Sequence, residues 1–250
     1  MRSLHLDISA TVGVGEFAAL QGCVLSVGNF DGVHLGHRAI IDAMKAAVRL
    51  SGRADPFSPI VAVTFEPHPT EVLRPELAPK RLTPWREKVR QLAAAGVDTV
   101  VGLKAEAALF ALEPEAFVAD VLVKYLHPTC IVEGGDFGFG RGRRGDVAML
   151  QTLAMQHGYR VQIVPPVEVA LPDGTRARVS STAIRERVSA GAMEAATVLL
   201  GRPFALVGDV VKGAGAGRTL GYPTINLDVG HQVIPAEGVY AGWGDIDDKR

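Results

Sequence analysis

Two histidines, His34 and His37, stand three residues apart in Gly28-Asn29-Phe30-Asp31-Gly32-Val33-His34-Leu35-Gly36-His37. A run with helical period begins at Gly36, so the two imidazoles converge where that helix starts. A helix start offers unbonded N–H groups and the positive end of its dipole. Glycines let the backbone turn sharply and approach a ligand closely. Two imidazoles beside free amides suit a polyphosphate. The plainer reading is a helix cap with two solvent histidines; one histidine would favour it, whereas a pair bracketed by glycines favours a site. A zinc site of His34, His37 and His68 is weak, because the Glu of His-Glu-x-x-His is absent. Neither Gly-x-x-x-x-Gly-Lys-Ser/Thr nor a strand-to-helix Gly-x-Gly-x-x-Gly occurs, which sets aside those nucleotide loops.

Four other stretches could carry chemistry. Thr64-Phe65-Glu66-Pro67-His68-Pro69 is a loop stiffened by two prolines. Glu133 to Asp146 interleaves glycines with Phe137, Phe139, Arg141, Arg143 and Arg144, whose guanidinium groups suit phosphate or simply a solvated basic surface. Ser180-Ser181-Thr182-Ala183-Ile184-Arg185 opens a short helix, and Ser or Thr at an N-cap is common. Gly213 to Asn226 is again glycine-rich. Thr224 and Asn226 are two apart, so in an extended strand they face one side, suited to a metal ion or phosphate.

The elements that must position these groups alternate. Val24–Val27, Ile60–Phe65, Val97–Gly102, Thr129–Val132 and Tyr159–Val164 read as buried strands. Helices are expected from Gly36 to Leu50, from Thr83 (N-cap, with Pro84 at the first position) to Ala95, from Pro114 to before His127, and from Asp146 to His157. Strict alternation predicts right-handed crossovers and a parallel sheet covered on both faces, with ligands beyond the carboxyl ends of the strands. After Pro165 the pattern changes. Pro172-Asp173-Gly174 marks a hairpin between residues 167–170 and 175–179, two short helices end near Leu200, and a Val- and Gly-rich text after Pro203 suggests a small β-barrel or sandwich. A domain boundary is expected near residue 187.

The 250 residues are 48% hydrophobic and 21% charged, with a net charge of -1, an ordinary globular balance that lacks the basic excess of a nucleic-acid binder. Cys23 and Cys130 sit in apolar runs and read as buried, reduced thiols. No stretch is long and apolar enough for a bilayer, and Asp7 and Glu16 interrupt any signal-like segment. The expected location is the cytoplasm.

The loop from Gly28 to His37 resembles the signature of the nucleotidyltransferase superfamily. With the segments at 64–69, 133–146 and 180–185, nearly all of residues 1–186 resembles the bacterial bifunctional riboflavin kinase/FAD synthetase (FMN adenylyltransferase) family. The resemblance implies an α/β, Rossmann-like nucleotidyltransferase domain with a parallel sheet over residues 1–186. It implies AMP transfer from ATP to FMN, giving FAD and pyrophosphate, with ATP entering as its Mg²⁺ complex. His34 and His37 would donate to the triphosphate, Asp31 would orient the loop or Mg²⁺, and Arg185 would meet the departing pyrophosphate. Gly28, Asn29, Phe30, Gly32, Gly36, Ser181 and Thr182 would hold ATP. Phe65, Pro67, His68, Pro69, Asp136, Phe137 and Phe139 would form the flavin side. Gly138 stands where the family more usually has a bulky or basic residue.

Residues 213–226 resemble the riboflavin kinase signature, and residues 235–241 the strand after it. The resemblance implies a partial, riboflavin kinase-like β-barrel over 187–250, with Gly217, Arg218, Gly221, Thr224 and Asn226 on its ATP and Mg²⁺ side and Thr224 and Asn226 at the metal. The family's barrel runs on past the equivalent of Arg250 and keeps its catalytic glutamate there. A strand at Val239–Trp243 would have an open edge, so no competent kinase is expected of this chain as given. The expected partners are small molecules: FMN, ATP and riboflavin. Rival readings are another His-x-Gly-His nucleotidyltransferase, a non-catalytic flavin- or nucleotide-binding remnant, and an RNA binder using Arg141 to Arg144.

Overall fold

The computed structural model describes residues 2–9, 14–50, 58–213, 221 and 224–246. Six strands form one parallel sheet: β1 (Arg2–Leu6), β2 (Val24–Val27), β3 (Ile60–Glu66), β4 (Thr99–Lys104), β5 (Cys130–Gly134) and β6 (Arg160–Val164), in the order β1-β4-β3-β2-β5-β6. Their side chains alternate between two faces, as a pleated strand requires. Val24, Ile60, Ala62, Val100, Cys130 and Val132 join one apolar cluster; Leu25, Val61, Val63, Val101 and Ile131 join another.

Helices cover both faces. α1 (Leu35–Leu50) buries Ile41, Met44 and Ala47 on the first face, where α3 (Trp85–Ala94) adds Leu92. Trp85 opens α3 half-buried, 5.1 Å from the His5 ring. The bare backbone of Gly102 makes room for it, since a Cβ there would come within 2.7 Å of the indole. The second face is covered by α4 (Ala107–Ala111), by a continuous helical run comprising α5 (Pro114–Ala116), a π-helical turn at Phe117–Val123 and α6 (Lys124–Leu126), and by α7 (Val147–His157). Asp146 caps α7 by accepting from the Met149 amide at 2.8 Å, and Gly158 ends it at φ 74°. Cys23 and Cys130 are free and buried.

Two sequence expectations change. The edge strand β1 was not foreseen: its residues, Arg-Ser-Leu-His-Leu, give only a short alternation. Thr83 is not an N-cap. α3 starts at Trp85 with Pro84 in the cap position, and Thr83 is turned into the loop after β2.

Beyond the sheet, β7 (Glu168–Ala170) and β8 (Arg176–Arg178) form the expected hairpin, followed by α8 (Ser181–Ser189) and α9 (Met193–Leu200). A short helix, α2 (Pro69–Leu73), follows β3. A third apolar cluster joins Leu171, Val179, Ile184, Val188, Leu199 and Leu200 to Leu82 and Val233. Past α9 the described residues hold one two-stranded antiparallel ribbon, β9 (Asp209–Val211) with β10 (Asn226–Asp228). Val239–Trp243 is not a strand. A lone ribbon has no facing layer to bury its apolar side chains, and Val210 (61%) and Trp243 (75%) are accordingly exposed.

Candidate active site

The sheet order reverses between β2 and β5: β3, β4 and β1 extend one way, β6 the other. Ligands of such sheets bind at the crevice beyond the carboxyl ends at that point. Here the crevice has a visible cause. The β2–β5 ladder stops after Leu25 pairs with Ile131. The buried carboxyl of Glu133 then replaces the missing strand partner, accepting from the Val27 amide at 2.6 Å and the Ser26 hydroxyl at 3.4 Å. The strands part and open a cleft of about 1300 Å³.

Of the residues predicted for this site, Gly28, Asn29, Phe30, His34, Gly36, His37, Phe65, Pro69, Asp136, Phe137, Phe139 and Ser181 all line the cleft. Asp31, Gly32, Pro67, His68, Thr182 and Arg185 do not. His68 caps α2 instead, its Nδ1 accepting from the Thr70 amide at 3.2 Å. The lining also includes Leu73, Leu77, Phe110, Phe117, Glu133 and Arg178, none of which the sequence pointed to as site residues. A hydrophobic stretch in α2 and α4 reads as core; only the fold shows that Leu73 and Leu77 are exposed beside a cleft.

The loop from Gly28 to His37 is tightly held. Gly28 donates to Val63 O (2.9 Å), and Thr64 Oγ1 to Asn29 O (3.2 Å). Gly32 sits at φ 88°, where a Cβ would also lie 2.8 Å from Leu82, so only glycine fits without strain. Phe30 (φ 47°) and Val33 (φ 39°) adopt left-handed backbone without being glycine, a strained state that surrounding structure must fix. Asp31, buried, does much of this. Its carboxylate accepts from the Leu82 amide (3.0 Å), the Thr83 amide (3.0 Å) and the Arg185 guanidinium (2.7 Å). Ser181 Oγ donates to Asp31 O at 2.8 Å, and Arg185 Nε to Lys80 O at 2.9 Å.

His34 and His37 stack with ring centroids 3.7 Å apart and planes 14° apart, at the mouth of α1. His34 Nδ1 accepts from the His37 amide at 3.3 Å, which places the proton of the neutral ring on Nε2. Gly36 lets the His34 ring lie against its backbone, since a Cβ there would be 3.1 Å from the ring. Burial pushes the His34 pKa down to about 4, with the Asp31 charge opposing and Arg202 adding to the fall. Burial and then the neighbouring His34 hold His37 well below its ordinary value. Both rings are therefore neutral donors at pH 7. The first-turn amides of Leu35 and Gly36 have no carbonyl within the helix to bond. Stacked donors, free amides and a dipole end converge on one anion-sized spot.

At the opposite side, Arg178 of the hairpin pairs with Asp136 at 2.6 Å, and Arg143 Nη2 donates to Asp136 O at 3.2 Å. The Arg143 guanidinium fills the space a side chain at Gly138 would take, 3.1 Å from an added Cβ. Arg141 and Arg144 pair with the exposed Glu113. Phe65 packs 6.2 Å from Phe110, giving the cleft an aromatic wall. In the C-terminal part, Gly217 and Arg218 lie outside the described residues; Gly221, Thr224 and Asn226 are exposed, with Asn226 opening β10. Among the described residues no group of three or more His, Cys, Asp or Glu could hold a metal, which removes the zinc reading, and no helix is long and apolar enough to cross a membrane.

A family model for FAD synthetase matches residues 16–183, and one for riboflavin kinase matches residues 200–250. The bifunctional riboflavin kinase/FMN adenylyltransferase of Escherichia coli K12 is 41% identical over 224 residues, covering 90% of this chain and 68% of that protein. The enzyme of the same description from Haemophilus influenzae is 38% identical over 223 residues, covering 89% and 69%. A solved structure described as a macrolide-efflux protein from Streptococcus pneumoniae superposes with a TM-score of 0.79 at 30% identity, covering 96% of this chain and 73% of that one. The cleft, its loop and these relatives place the chain in the FAD synthetase family, with a riboflavin kinase match over its last residues.

Proposed function

We propose that this chain joins AMP from ATP to FMN, forming FAD and releasing pyrophosphate. One observation carries the reading: two neutral, stacked imidazoles at the start of α1, inside a cleft with an aromatic far wall. A phosphate oxygen of FMN attacks the α-phosphorus of ATP. The bond from that phosphorus to the bridging oxygen breaks, and pyrophosphate leaves with the electron pair. Such transfers need positioning and charge stabilisation, with little covalent chemistry from protein. His34 and His37 donate to the charge growing on the bridging oxygen. Asp31, its oxygens already accepting hydrogen bonds, orients the loop and holds Arg185, whose charge offsets the leaving group. Mg²⁺ arrives with ATP, as an ion that prefers phosphates and its own waters to a protein cage. Gly28, Asn29, Phe30, Gly32, Gly36, Ser181 and Thr182 form the ATP side. The isoalloxazine packs on Phe65 with Phe137 and Phe139, and Asp136, Pro67, His68 and Pro69 shape that end.

The organisation that goes with this reading is a nucleotidyltransferase domain over 1–186 and a riboflavin kinase segment over 187–250. There Gly217, Arg218 and Gly221 approach ATP, and Thr224 and Asn226 offer oxygens to Mg²⁺. Two buried free thiols favour a reducing cytoplasm. Incubating the protein with FMN, ATP and Mg²⁺ and separating the flavins by chromatography tests the reading. FAD with equimolar pyrophosphate is expected; unchanged FMN would overturn it.

A further inference from the structure

The strained turn before His34 is clamped from two sides. On one side Thr83 Oγ1 accepts the Gly32 amide at 3.1 Å. On the other, the Gly32 and Val33 carbonyls accept from one guanidinium, that of Arg202, through Nη2 at 2.7 Å and Nη1 at 3.2 Å. The same Nη2 also donates to the Gln91 side chain of α3. Arg202 is delivered by α9, which ends at Gly201 in a left-handed residue of φ 71°. Gly201 lies against Leu35, the first residue of α1; a Cβ there would be 2.5 Å from the Leu35 side chain. Residue 202 is outside the FAD synthetase match, which ends at 183, and inside the riboflavin kinase match, which begins at 200.

We propose that Arg202 is a positioning residue for adenylyl transfer, a fork from the kinase-matched segment that fixes two successive carbonyls so that His34 and the first amides of α1 meet the triphosphate. A planar guanidinium reaches two carbonyls at once with fixed geometry; an ammonium on a flexible stem does not. The inference rests on the reading of the cleft as the site of AMP transfer. It makes the nucleotidyltransferase unit dependent on a residue beyond its own family match.

The test uses the full chain with Arg202→Met and Arg202→Lys, following FAD formation while ATP and FMN are varied separately. Arg202→Met should raise KM for ATP about tenfold, the equivalent of one charge-assisted hydrogen bond. KM for FMN should stay within about twofold, because the flavin wall is fixed by other groups. Millimolar guanidinium should restore part of the ATP affinity in the Met variant. A folded Met variant with unchanged KM for ATP overturns the proposal, as does an equal rise in both KM values that follows a lowered Tm. If the Met variant fails to fold, the Lys variant decides: an ATP-selective rise supports the fork and unchanged KM overturns it. Should the wild-type chain form no FAD, the adenylyl reading fails by itself. Calorimetric binding of inorganic tripolyphosphate then judges Arg202 separately, with weaker binding to the variant supporting its role and equal binding overturning it.

Discussion

Two glycine-rich segments of this chain invite comparison: the loop between β2 and α1, and the stretch around the β9–β10 ribbon. Both carry family signatures. Around the first, Val24, Leu25, Phe30 and Val33 are buried, and every polar turn in the loop finds a named partner. Around the second, Val211 (44%), Ile225 (56%) and Leu227 (47%) are exposed, and Thr224 and Asn226 are exposed with them. A signature names the groups that meet a ligand. Whether they are held in place depends on layers that lie elsewhere in sequence: the sheet, α3 and α9 for the first loop.

The widest gap between the two regions should appear in stability. Asp31→Ala strips a buried partner from Arg185 and two amides and is expected to cost about 3–5 kcal/mol in urea unfolding. Asp228→Ala in the ribbon removes only an exposed turn contact to the Gly230 amide and should change stability by less than about 0.5 kcal/mol. A similar, small loss for both would erase the contrast. Catalysis should separate them next. His37→Ala is expected to lower FAD formation by about 10²-fold or more if the ring acts on the transition state. Asn226→Ala, far from the cleft, should leave the same assay within about twofold; wild-type turnover in the His37 variant would remove His37 from the mechanism.

Acid should act on the first region. Unfolded histidine takes up a proton near 6.5, whereas folded His34 refuses it until about 4. Between those values the unfolded state binds more protons, so stability falls as pH falls, by up to about 1.4 kcal/mol per pH unit for each such histidine. A His34→Gln melt series should show a shallower slope over that window, and an unchanged slope would assign the acid sensitivity elsewhere. The smallest effect has the opposite sign. Burial raises the Glu133 pKa well above its ordinary 4.5, so the folded state keeps a proton that the unfolded state loses as pH rises. Glu133→Gln preserves the acceptor for Val27, and the Ser26 hydroxyl can turn to accept. The variant should gain about 1 kcal/mol over wild type between pH 5 and pH 8, and equal pH curves would show that the carboxyl is ionised without penalty.

Much of this was legible in the sequence because the signals were local. Gly28 to His37 announces its turn through glycines, α7 its ends through Asp146 and Gly158, and β2 and β3 their burial through short apolar runs. The parallel order followed from alternation. What was not legible involves residues far apart in the chain. Thr83 looks like a helix cap until Asp31, brought close by the β2–α1 loop, competes for its hydroxyl and amide. Glu133 looks like the edge of a glycine loop; it becomes a wedge because β2 and β5 part beside it. Arg185 shows in its motif but not its pairing with Asp31, 154 residues earlier. The ribbon was expected as part of a barrel, and its signature said nothing about whether neighbouring strands would enclose it.

The chain has two tryptophans, and they fall one on each side of this divide. Trp85 sits half-buried at the head of α3, between His5 and the Lys88 ammonium 5.8 Å above its ring. Trp243 lies exposed beyond the ribbon. The molecule therefore carries its own pair of optical reporters: a shielded indole, blue in emission and slow to meet iodide, beside the triphosphate site, and a wetted one, red and readily quenched, at the far end. Emission colour alone distinguishes an event in the α/β unit from one in the ribbon, with no label attached.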